Sequence, residues 1–379
     1  AVVLLAQGGS AQRLPGLEWS GLQLGDGGAE ALLRSLTAGE AASAVTSLDL
    51  RRNGLTTLPP ELMQLTALTN LQLEDPALKA VIDIGQERGV PGVFDYLRDL
   101  HDDPQRSYSL KLVLAGPSMA GKTSLCNALR LGAARLTTVD ERTIGLDIGP
   151  ILMEDARAPG GVHFLAYDAG GHDEYQEMHA IFLSPSTLYV LVWNVAIADA
   201  LERTEAIQTG WATLIQTCAP GSRVLLVASH ADEVADLAVV RDRCQSMLSS
   251  IQRSLARHRA AQQEELRSLS AALRRGDEPN MAERARLLTR VLEQPLRLSQ
   301  QAMVVSAKTM QGVDALRHEM LEAAFDKTAF PSFGAVQPGT YATIVRELKE
   351  AHTHESSVTW EQMPGSYPQL TLPTISPVL

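Results

Sequence analysis

The stretch GPSMAGKTS contains two glycines, a lysine and hydroxyl side chains at the spacing GxxxxGK[ST]. The apolar stretch KLVLA comes directly before it, and leucines at helical spacing follow. A loop between a strand and a helix can wrap phosphate oxygens with backbone N–H groups, while the lysine supplies charge and the last hydroxyl a ligand for Mg²⁺. This context favours a nucleoside triphosphate site over a plain glycine turn. The predicted phosphate loop comprises Gly116, Pro117, Ser118, Met119, Ala120, Gly121, Lys122, Thr123 and Ser124, with Thr123 as the metal ligand.

The stretch YDAGGHD ends an apolar run in an aspartate followed by two glycines. An aspartate at the end of a strand beside the phosphate loop is placed to bind Mg²⁺ through its carboxylate. A glycine three residues later can offer its N–H to a γ-phosphate, because no side chain blocks the approach. We therefore predict that Asp168 binds the metal and that Gly171 binds the γ-phosphate, rather than that the stretch only closes a strand.

A third motif, VASHAD, follows a later apolar run. The carboxylate of Asp232 can accept hydrogen bonds from N1–H and the 2-amino group of guanine, whereas adenine offers neither donor. We therefore predict that Asp232 selects guanine, with the ring of His230 packed over the base. The alternative for Asp232 is the capping of a helix N-terminus. The stretch VVSAKT supports guanine as the base. Ser306, Ala307 and Lys308 directly follow the final strand, at the place where O6 of guanine needs a backbone N–H donor.

These motifs follow one another in the order that is typical of a small GTPase. Such a domain needs a switch loop between its first helix and its second strand, and the stretch VDERTIGLDI lies there. Thr143 is the candidate residue for closing on Mg²⁺ and the γ-phosphate, because Gly145 and the next strand follow it. Thr137 and Thr138 lie just upstream and are the alternatives.

Strands and helices alternate over the part of the chain that carries these motifs, residues 106–332. The apolar stretches LKLVLA, VHFLAY, TLYVLVW, RVLLVAS and AMVVS are each followed by a loop, and most by a helix-like segment. This alternation predicts an α/β domain of the Ras-like P-loop GTPase type, with a mostly parallel sheet and helices on both faces. A stretch rich in Arg, Glu and Ala, at about residues 240–300, predicts a helical insertion with a solvated charged face, and no site is assigned to it.

Leucines near the start of the chain recur with a period of about 23 residues, as VTSLDLRRNGL and then LTNLQLEDPAL. Such units cannot bury their own leucines, so neighbours must stack. We predict a short leucine-rich-repeat solenoid over residues 1–90 that ends where Pro76 takes the place of Asn53. A connecting helix and linker follow over residues 91–105. Residues 333–379 are expected to begin a truncated helical segment with a disordered tail rich in proline and serine.

The bulk composition limits the classes of partner. The 379 residues carry a formal net charge of −11, which argues against nucleic acid and favours small-molecule or protein partners. The longest apolar run is shorter than the roughly 20 residues that span a bilayer, so no transmembrane segment is expected. The start AVVLLAQGG lacks the basic region of a signal peptide. Three dispersed cysteines fit a reducing compartment, and we expect a cytoplasmic location.

The leucine repeats, the DYLRDL helix, the SHAD motif at residues 229–232 and the segment YATIVRELKE together resemble the Roco proteins. The stretch FLSPSTLYVLVWN and the helical insertion are most similar to the malignant fibrous histiocytoma-amplified sequence branch, which lacks a kinase. The resemblance implies a Ras-like Roc domain followed by a COR domain, and a nucleotide-dependent switch and scaffold that dimerises through COR. Ser229 stands where the family has threonine. The COR-like segment stops after its first helix, which argues against a homodimer, and no kinase motif follows Asp326.

Small GTPases usually have a glutamine after the DxxG glycine, where it orients the attacking water, and this chain has His172 there. Translational GTPases resemble this chain in having DxxGH, which makes His172 the candidate catalytic residue. The alternative is that His172 is a solvent-exposed switch residue and that turnover is very slow.

Two functions therefore remain open. The first is a slow Mg²⁺-dependent GTPase that cycles between GTP and GDP and is coupled to a leucine-rich scaffold, with protein partners bound by the repeats and by the switch surface. The second is a scaffold that binds the nucleotide with little or no hydrolysis. A P-loop enzyme that uses ATP is a third alternative.

Overall fold

The computed structural model describes residues 16–138, 146–170, 182–197, 201–274 and 279–340. The chain divides into two units, of which the first combines residues 1–107 with residues 335–379 and the second comprises residues 108–334. Each unit is built around its own buried apolar side chains.

The first unit begins with short strands separated by helical segments. Its elements are β1 (Leu17–Glu18), α1 (Gly25–Thr37), β2 (Ser47–Asp49), β3 (Asn70–Gln72), α2 (Lys79–Asp102) and β4 (Pro104–Arg106), with 3₁₀ turns at Glu40–Ser43, Pro60–Gln64 and Pro76–Leu78. Strands β1, β2 and β3 form a parallel sheet in that order, with Leu48 opposite Leu71. Leu33, Leu48 and Leu62 are fully buried in the core beside it. Stacking therefore buries the leucines that one short strand alone would leave in water.

Asn53 links neighbouring turns of this unit. Its Nδ2 donates to the carbonyl oxygens of Trp19 at 2.8 Å and Leu50 at 2.9 Å, and its Oδ1 accepts from the N–H of Leu22 at 3.1 Å. One turn further along, the carboxylate of Asp75 accepts from the N–H of Asn53 at 3.4 Å. The backbone groups of the turns, which the sheet leaves unpaired, are thus bonded by side chains.

Asp75 therefore makes the kind of bond that Asn53 makes, and the expectation that this side chain is lost at Pro76 is wrong. Paired residues of β2 and β3, such as Ser47 and Asn70, are 23 positions apart, whereas Asn53 and Asp75 are 22 apart. Leu55 and Leu78, which follow the two turns, are again 23 positions apart and both are buried, so only the bonding side chain is displaced by one position. That this unit is a leucine-rich-repeat solenoid stays a prediction.

Replacing Asn53 with alanine should lower the free energy of unfolding by about 3 kcal/mol, because several buried backbone groups would lose their partner. The matched control is Asn70→Ala, since the Asn70 side chain is exposed and donates at 3.0 Å to the hydroxyl of Ser47. Urea unfolding of both variants and the parent measures the difference. Equal losses in the two variants would show that the buried side-chain bonds add nothing.

The predicted connecting helix lies within α2, which begins earlier than expected, at Lys79. The backbone leaves helical geometry at Gly89 (φ 66°, ψ −166°), and Pro91 follows. Glycine accepts this φ without the steric cost that a side chain would bring. Gly89 and Pro91 are typical helix breakers, so the sequence favours a helix start after them, although the helical path in fact resumes across the kink.

The second unit contains a six-stranded sheet with helices in the connections. Its elements are β5 (Ser109–Ala115), α3 (Lys122–Leu131), β6 (Leu146–Asp155), β7 (Ala158–Ala169), β8 (Thr187–Asn194), α4 (Leu201–Cys218), β9 (Arg223–Ser229), α5 (Leu237–Arg274), α6 (Pro279–Glu293), β10 (Arg297–Val304) and α7 (Val313–Ala324). The strand order is β10-β9-β8-β5-β7-β6, and only the β6–β7 pair is antiparallel in this sheet. The predicted α/β domain with a mostly parallel sheet is confirmed.

Helices cover both faces of this sheet. On one face Leu125 and Leu129 of α3 pack with Leu316 of α7, and on the other Trp211 of α4 packs with Met247 of α5. Both faces of β8 are covered, and Tyr189, Leu191 and Trp193 are fully buried, which explains why its sequence is an unbroken apolar run.

The predicted insertion consists of α5 and α6, and β10 follows it from Arg297. The amide of Gln216 on α4 bonds the chain between the end of α6 and the start of β10. Its Nε2 donates to the carbonyl oxygens of Val291 at 3.0 Å and Gln294 at 3.2 Å, and its Oε1 accepts from the N–H of Leu296 at 2.6 Å.

The chain then returns to the first unit, where β11 (Val336–Pro338) pairs with β4 in antiparallel fashion. Within the described ranges, no helix combines the length and the apolar character needed to cross a lipid bilayer.

Candidate functional site

The carboxyl ends of the parallel strands β5, β7, β8, β9 and β10 lie at one edge of the sheet. Strand β5 lies between β7 and β8, and the chain turns to the β7 side first and to the β8 side later. Open α/β sheets bind ligands at such a switch point. The predicted motifs meet there, because Gly116 follows β5, Asp168 ends β7, Asp232 follows β9 and Ser306 follows β10.

Gly116 begins the phosphate loop at a position where a side chain does not fit. Its φ is 143°, and a Cβ added to it would lie 2.1 Å from the carbonyl oxygen of Val192 on β8. Gly121 (φ 79°) ends the loop directly before α3, and a Cβ there would lie 3.0 Å from Cε1 of His230. The two glycines of the motif are therefore required by close backbone and ring approaches, as well as by backbone conformation.

Lys122, the first residue of α3, is almost fully buried at the base of the loop. Its Nζ donates to the carbonyl oxygens of Gly116 at 3.0 Å and Pro117 at 2.9 Å. Burial lowers the pKa of Lys122 to about 8, while the nearby charge of Asp168 acts to raise it. A second negative charge near this ammonium, such as a phosphate, would stabilise its protonated form.

Thr123 and Asp168 lie side by side, as the sequence predicts for two metal ligands. The hydroxyl of Thr123 donates to Oδ2 of Asp168 at 2.5 Å, and Asp168 is 1% exposed. The pairing of β5 with β7 places them together, since Leu114 is opposite Asp168. Hydroxyl and carboxylate oxygens are the hard ligands that Mg²⁺ prefers.

Thr123 and Asp168 fit Mg²⁺ as two of its ligands, and the remaining ligands must come from beyond the described residues. Among the described residues no group of three or more His, Cys, Asp or Glu side chains could hold a metal ion. A Mg²⁺ ion bound through one or two protein ligands keeps several waters and takes phosphate oxygens as further ligands. One hydroxyl and one carboxylate are therefore a partial set of Mg²⁺ ligands.

Asp232 and the loop after β10 are brought together as predicted. The hydroxyl of Ser306 donates to the carboxylate of Asp232, which is the main cause that lowers the pKa of this carboxyl; Lys308, with Nζ 3.8 Å from Oδ2, lowers it further. Asp232 lies in the single 3₁₀ turn Ala231–Glu233, whereas α5 begins only at Leu237. The alternative role as a cap of the following helix therefore does not apply. Ala307 lies between Ser306 and Lys308 in the same loop.

Ser229 connects the loop after β9 to the phosphate loop. Its hydroxyl lies 2.7 Å from the carbonyl oxygen of Ala120, 2.8 Å from that of Trp193 and 2.9 Å from Nδ1 of His230. His230 has a left-handed backbone (φ 59°), which turns its ring towards Gly121. The position of the predicted base-selecting loop is thus fixed by direct contact with the predicted phosphate loop.

The remaining predicted residues divide into two groups. Ser118 and Met119 form the outer turn of the phosphate loop, with Met119 59% exposed and at φ 60°. Thr143, Gly171 and His172 lie outside the described residues, so their roles stay predictions.

One of the two alternative switch threonines is close to the phosphate loop. The backbone N–H of Thr137 donates to the hydroxyl of Ser124 at 3.2 Å, and the two hydroxyls lie 3.0 Å apart. The chain just before the predicted switch segment is therefore bonded to Ser124, the second residue after Lys122.

Sequence reasoning missed Gln208 on α4, which is fully buried and donates from Nε2 to the carbonyl oxygen of Val192 at 2.7 Å. A signal was present in the sequence. Gln208 lies three, four and seven positions before Trp211, Ala212 and Ile215, in the buried stripe of an amphipathic helix. A polar residue in such a stripe needs a buried partner.

Comparison with known proteins relates the chain to one family. Residues 111–232 match the model of the Roc domain, described as Ras of Complex, Roc, domain of DAPkinase. Leucine-rich repeat serine/threonine-protein kinase 1 of Mus musculus is 30% identical over 186 residues, which cover 47% of this chain and 9% of that protein. Malignant fibrous histiocytoma-amplified sequence 1 of Homo sapiens is 25% identical over 295 residues, which cover 68% of this chain and 27% of that protein.

A solved structure of Methanosarcina barkeri Roco2 RocCORdC bound to GDP is 16% identical, with a TM-score of 0.41, and the match covers 69% of this chain and 61% of that one. The chain spans less than a third of the length of the two curated relatives described above.

Proposed function

The chain belongs to the Roco family and carries a Roc domain over residues 111–232, and from this premise we propose that it binds GTP and GDP and acts as a slow GTPase switch. Roc domains are members of the GTPase family. The observation that carries the proposal is the meeting of four loops at one sheet edge, those of Gly116, Asp168, Asp232 and Ser306. Each loop has the chemistry that one part of a guanine nucleotide requires.

The phosphate end of the nucleotide is assigned to the loop between β5 and α3. Its backbone N–H groups and the N-terminus of α3 favour negative charge. Lys122 exchanges its two carbonyl partners, which are weak neutral acceptors, for phosphate oxygens. Thr123 and Asp168 would hold Mg²⁺, which would supply charge neutralisation to the phosphates.

The base end is assigned to the loops after β9 and β10. The carboxylate of Asp232 accepts from N1–H and the 2-amino group of guanine. Ser306 holds that carboxylate in place, and the backbone N–H groups of Ala307 and Lys308 would donate to O6, since the N–H of Ser306 already donates to the carbonyl oxygen of Gln311 at 2.9 Å. His230 packs over the base from the side of Gly121.

Hydrolysis is assigned to His172, which would orient the attacking water beside the γ-phosphate bound by Gly171 and Thr143. We expect single-turnover GTP hydrolysis at a slow rate in the parent and a rate at least about tenfold lower in His172→Ala, since positioned acid–base groups contribute at least that much. His172→Gln, which restores the usual residue, should retain activity. The measurement is inorganic phosphate release from excess protein with Mg²⁺.

The second candidate function is a scaffold that binds nucleotide without turning it over. Equal, near-zero rates in the parent and in His172→Ala would favour it and remove the catalytic role. Titration with labelled GTP, GDP and ATP in Mg²⁺ tests the binding itself. Competition by ATP as effective as that by GTP would instead favour the ATP-using alternative.

We further propose that the first unit is a leucine-rich-repeat surface for protein partners, and that a second partner surface lies at the switch. The parallel strands β1, β2 and β3 with their leucine core support this role, because stacked units of this kind present an extended surface. A cytoplasmic location belongs to the same proposal, whereas a homodimer stays the alternative that the sequence argues against. Size-exclusion chromatography with light scattering, in GDP and in a non-hydrolysable GTP analogue, tests the dimer.

A further inference from the structure

Gln208 lies on the buried face of α4, and its side chain is fully enclosed. Trp211, Ala212 and Ile215 form the same face and pack against the sheet. A buried amide is costly unless its polar atoms are hydrogen-bonded, so a glutamine among these apolar residues points to a specific partner.

That partner lies at the base of the phosphate loop. Nε2 of Gln208 donates to the carbonyl oxygen of Val192 at 2.7 Å. The same carbonyl oxygen would be 2.1 Å from a Cβ at Gly116, and Nε2 itself would be 3.1 Å from it. The carbonyl of Val192 and the amide of Gln208 therefore pack directly against Gly116, where the chain turns into the phosphate loop.

The sheet explains why a side chain is needed there. Strand β5 pairs with β8 as far as Ala115 and Leu191, and the chain leaves the sheet at Gly116. The carbonyl of Val192, one residue further along β8, faces the place where the next strand residue would have continued the ladder. Gln208 supplies the donor that the ladder no longer provides.

The orientation of the amide is set by the same contact, because an oxygen in place of Nε2 would face another oxygen. Oε1 is buried and has no hydrogen-bond partner within the described part of the chain. Oε1 of Gln208 is thus an unused acceptor at the base of the phosphate loop, close to Gly116.

We propose that Gln208 is a positioning residue for nucleotide binding: it holds the Val192 carbonyl beneath Gly116 and so keeps the phosphate loop in the shape that wraps the β-phosphate. The inference rests on the proposed nucleotide binding. Without this donor the carbonyl would be buried and unpaired, and the backbone of β8 would shift towards another donor. Such a shift would displace the backbone that packs against Gly116 and would leave the residues that select the base in place.

The test compares Gln208→Met, which keeps the length but removes both polar atoms, with the matched control Gln216→Met. Both glutamines lie on α4, and both are buried and bonded to backbone groups. Gln216→Met should lose at least as much stability as Gln208→Met, because the Gln216 amide makes three hydrogen bonds and the Gln208 amide makes one. Only Gln208→Met should bind GDP more weakly, by about tenfold, which corresponds to one lost hydrogen bond in the folded site.

The decisive quantity is the ratio of GDP affinity to GMP affinity, measured below the melting temperature of the least stable variant. GMP lacks the β-phosphate that the loop wraps, so a loop defect lowers the ratio, whereas partial unfolding lowers both affinities and leaves the ratio unchanged. Gln208→Asn, which is too short to reach Val192, is the second variant if the methionine variant does not fold. A ratio unchanged from the parent in the folded variant overturns the inference. Absence of guanine nucleotide binding in the parent would instead overturn the proposed function.

Discussion

Replacing Asp232 with asparagine should weaken GTP binding by about a hundredfold and strengthen XTP binding, because two charge-assisted hydrogen bonds to guanine would be lost. The Ser306 hydroxyl and the Lys308 ammonium hold the pKa of Asp232 below its usual value, so the carboxylate is ionised at neutral pH. An asparagine can turn its NH₂ group towards the base, where xanthine offers an oxygen in place of the 2-amino group. Competition of GTP, XTP and ATP against a fluorescent nucleotide measures the change.

Asp236→Asn is the matched control for this exchange. It removes the same charge nearby, but the carboxylate of Asp236 accepts from the N–H of Ala238 at 2.8 Å, at the start of α5. Its nucleotide preference should equal that of the parent. Undiminished GTP affinity in Asp232→Asn would show that another group selects the base.

The affinity for GDP should be nearly constant between pH 7 and the pKa of free Lys122, about 8, and should fall above it by up to tenfold per pH unit. The direction of this pH dependence follows from the pKa of Lys122 in the free protein and in the complex. Burial lowers the pKa of Lys122 in the free protein, and the phosphates raise it in the complex, so binding above pH 8 must take up a proton. The terminal phosphate of GDP, with a pKa of about 6, is already ionised in this range.

The measurement is calorimetric titration with GDP in EDTA, in buffers of different ionisation enthalpy, which reports the proton uptake directly. Lys122→Met should bind GDP far more weakly and should show no proton uptake at pH 8. Proton uptake that persists in Lys122→Met would assign the titration to another group.

The placement of the candidate residues was predictable wherever it depends on local spacing. The phosphate loop is a continuous stretch whose two glycines and lysine have fixed separations, and parallel strands bring their carboxyl ends to one edge whatever lies between them. Asp168, Asp232 and Ser306 could therefore be placed near Gly116 from the order of strands alone.

The supporting contacts were not predictable in the same way. The hydroxyl of Ser229 bonds the carbonyl oxygen of Ala120 across 109 positions, and Gln208 reaches Val192 from a different element. No local pattern encodes such pairs, since they depend on how closely α4 and the strands pack. A polar residue in an apolar stripe indicates that a partner exists, but it does not identify the partner.

The predicted start of α2 was wrong because helix-breaking residues lie inside a segment whose apolar residues are buried. Gly89 and Pro91 break a helix, yet α2 runs from Lys79 because Val81 and Ile84 on one side of the kink, and Val93 on the other, are buried in the same core. The backbone does break at Gly89, as the local preference of glycine and proline predicts, and burial of apolar side chains stabilises a helical segment on each side of the kink.

Asp75 gives the first unit a direction. The side chain of Asn53 bonds Trp19 and Leu22 of the turn before it, and the carboxylate of Asp75 in the same way accepts from the backbone N–H of Asn53. Each of these side chains therefore fastens the turn on its N-terminal side, while its own backbone N–H is left for a side chain of the turn that follows. Removal of one such side chain would free the backbone groups of the preceding turn and leave the bonds to the following turn in place.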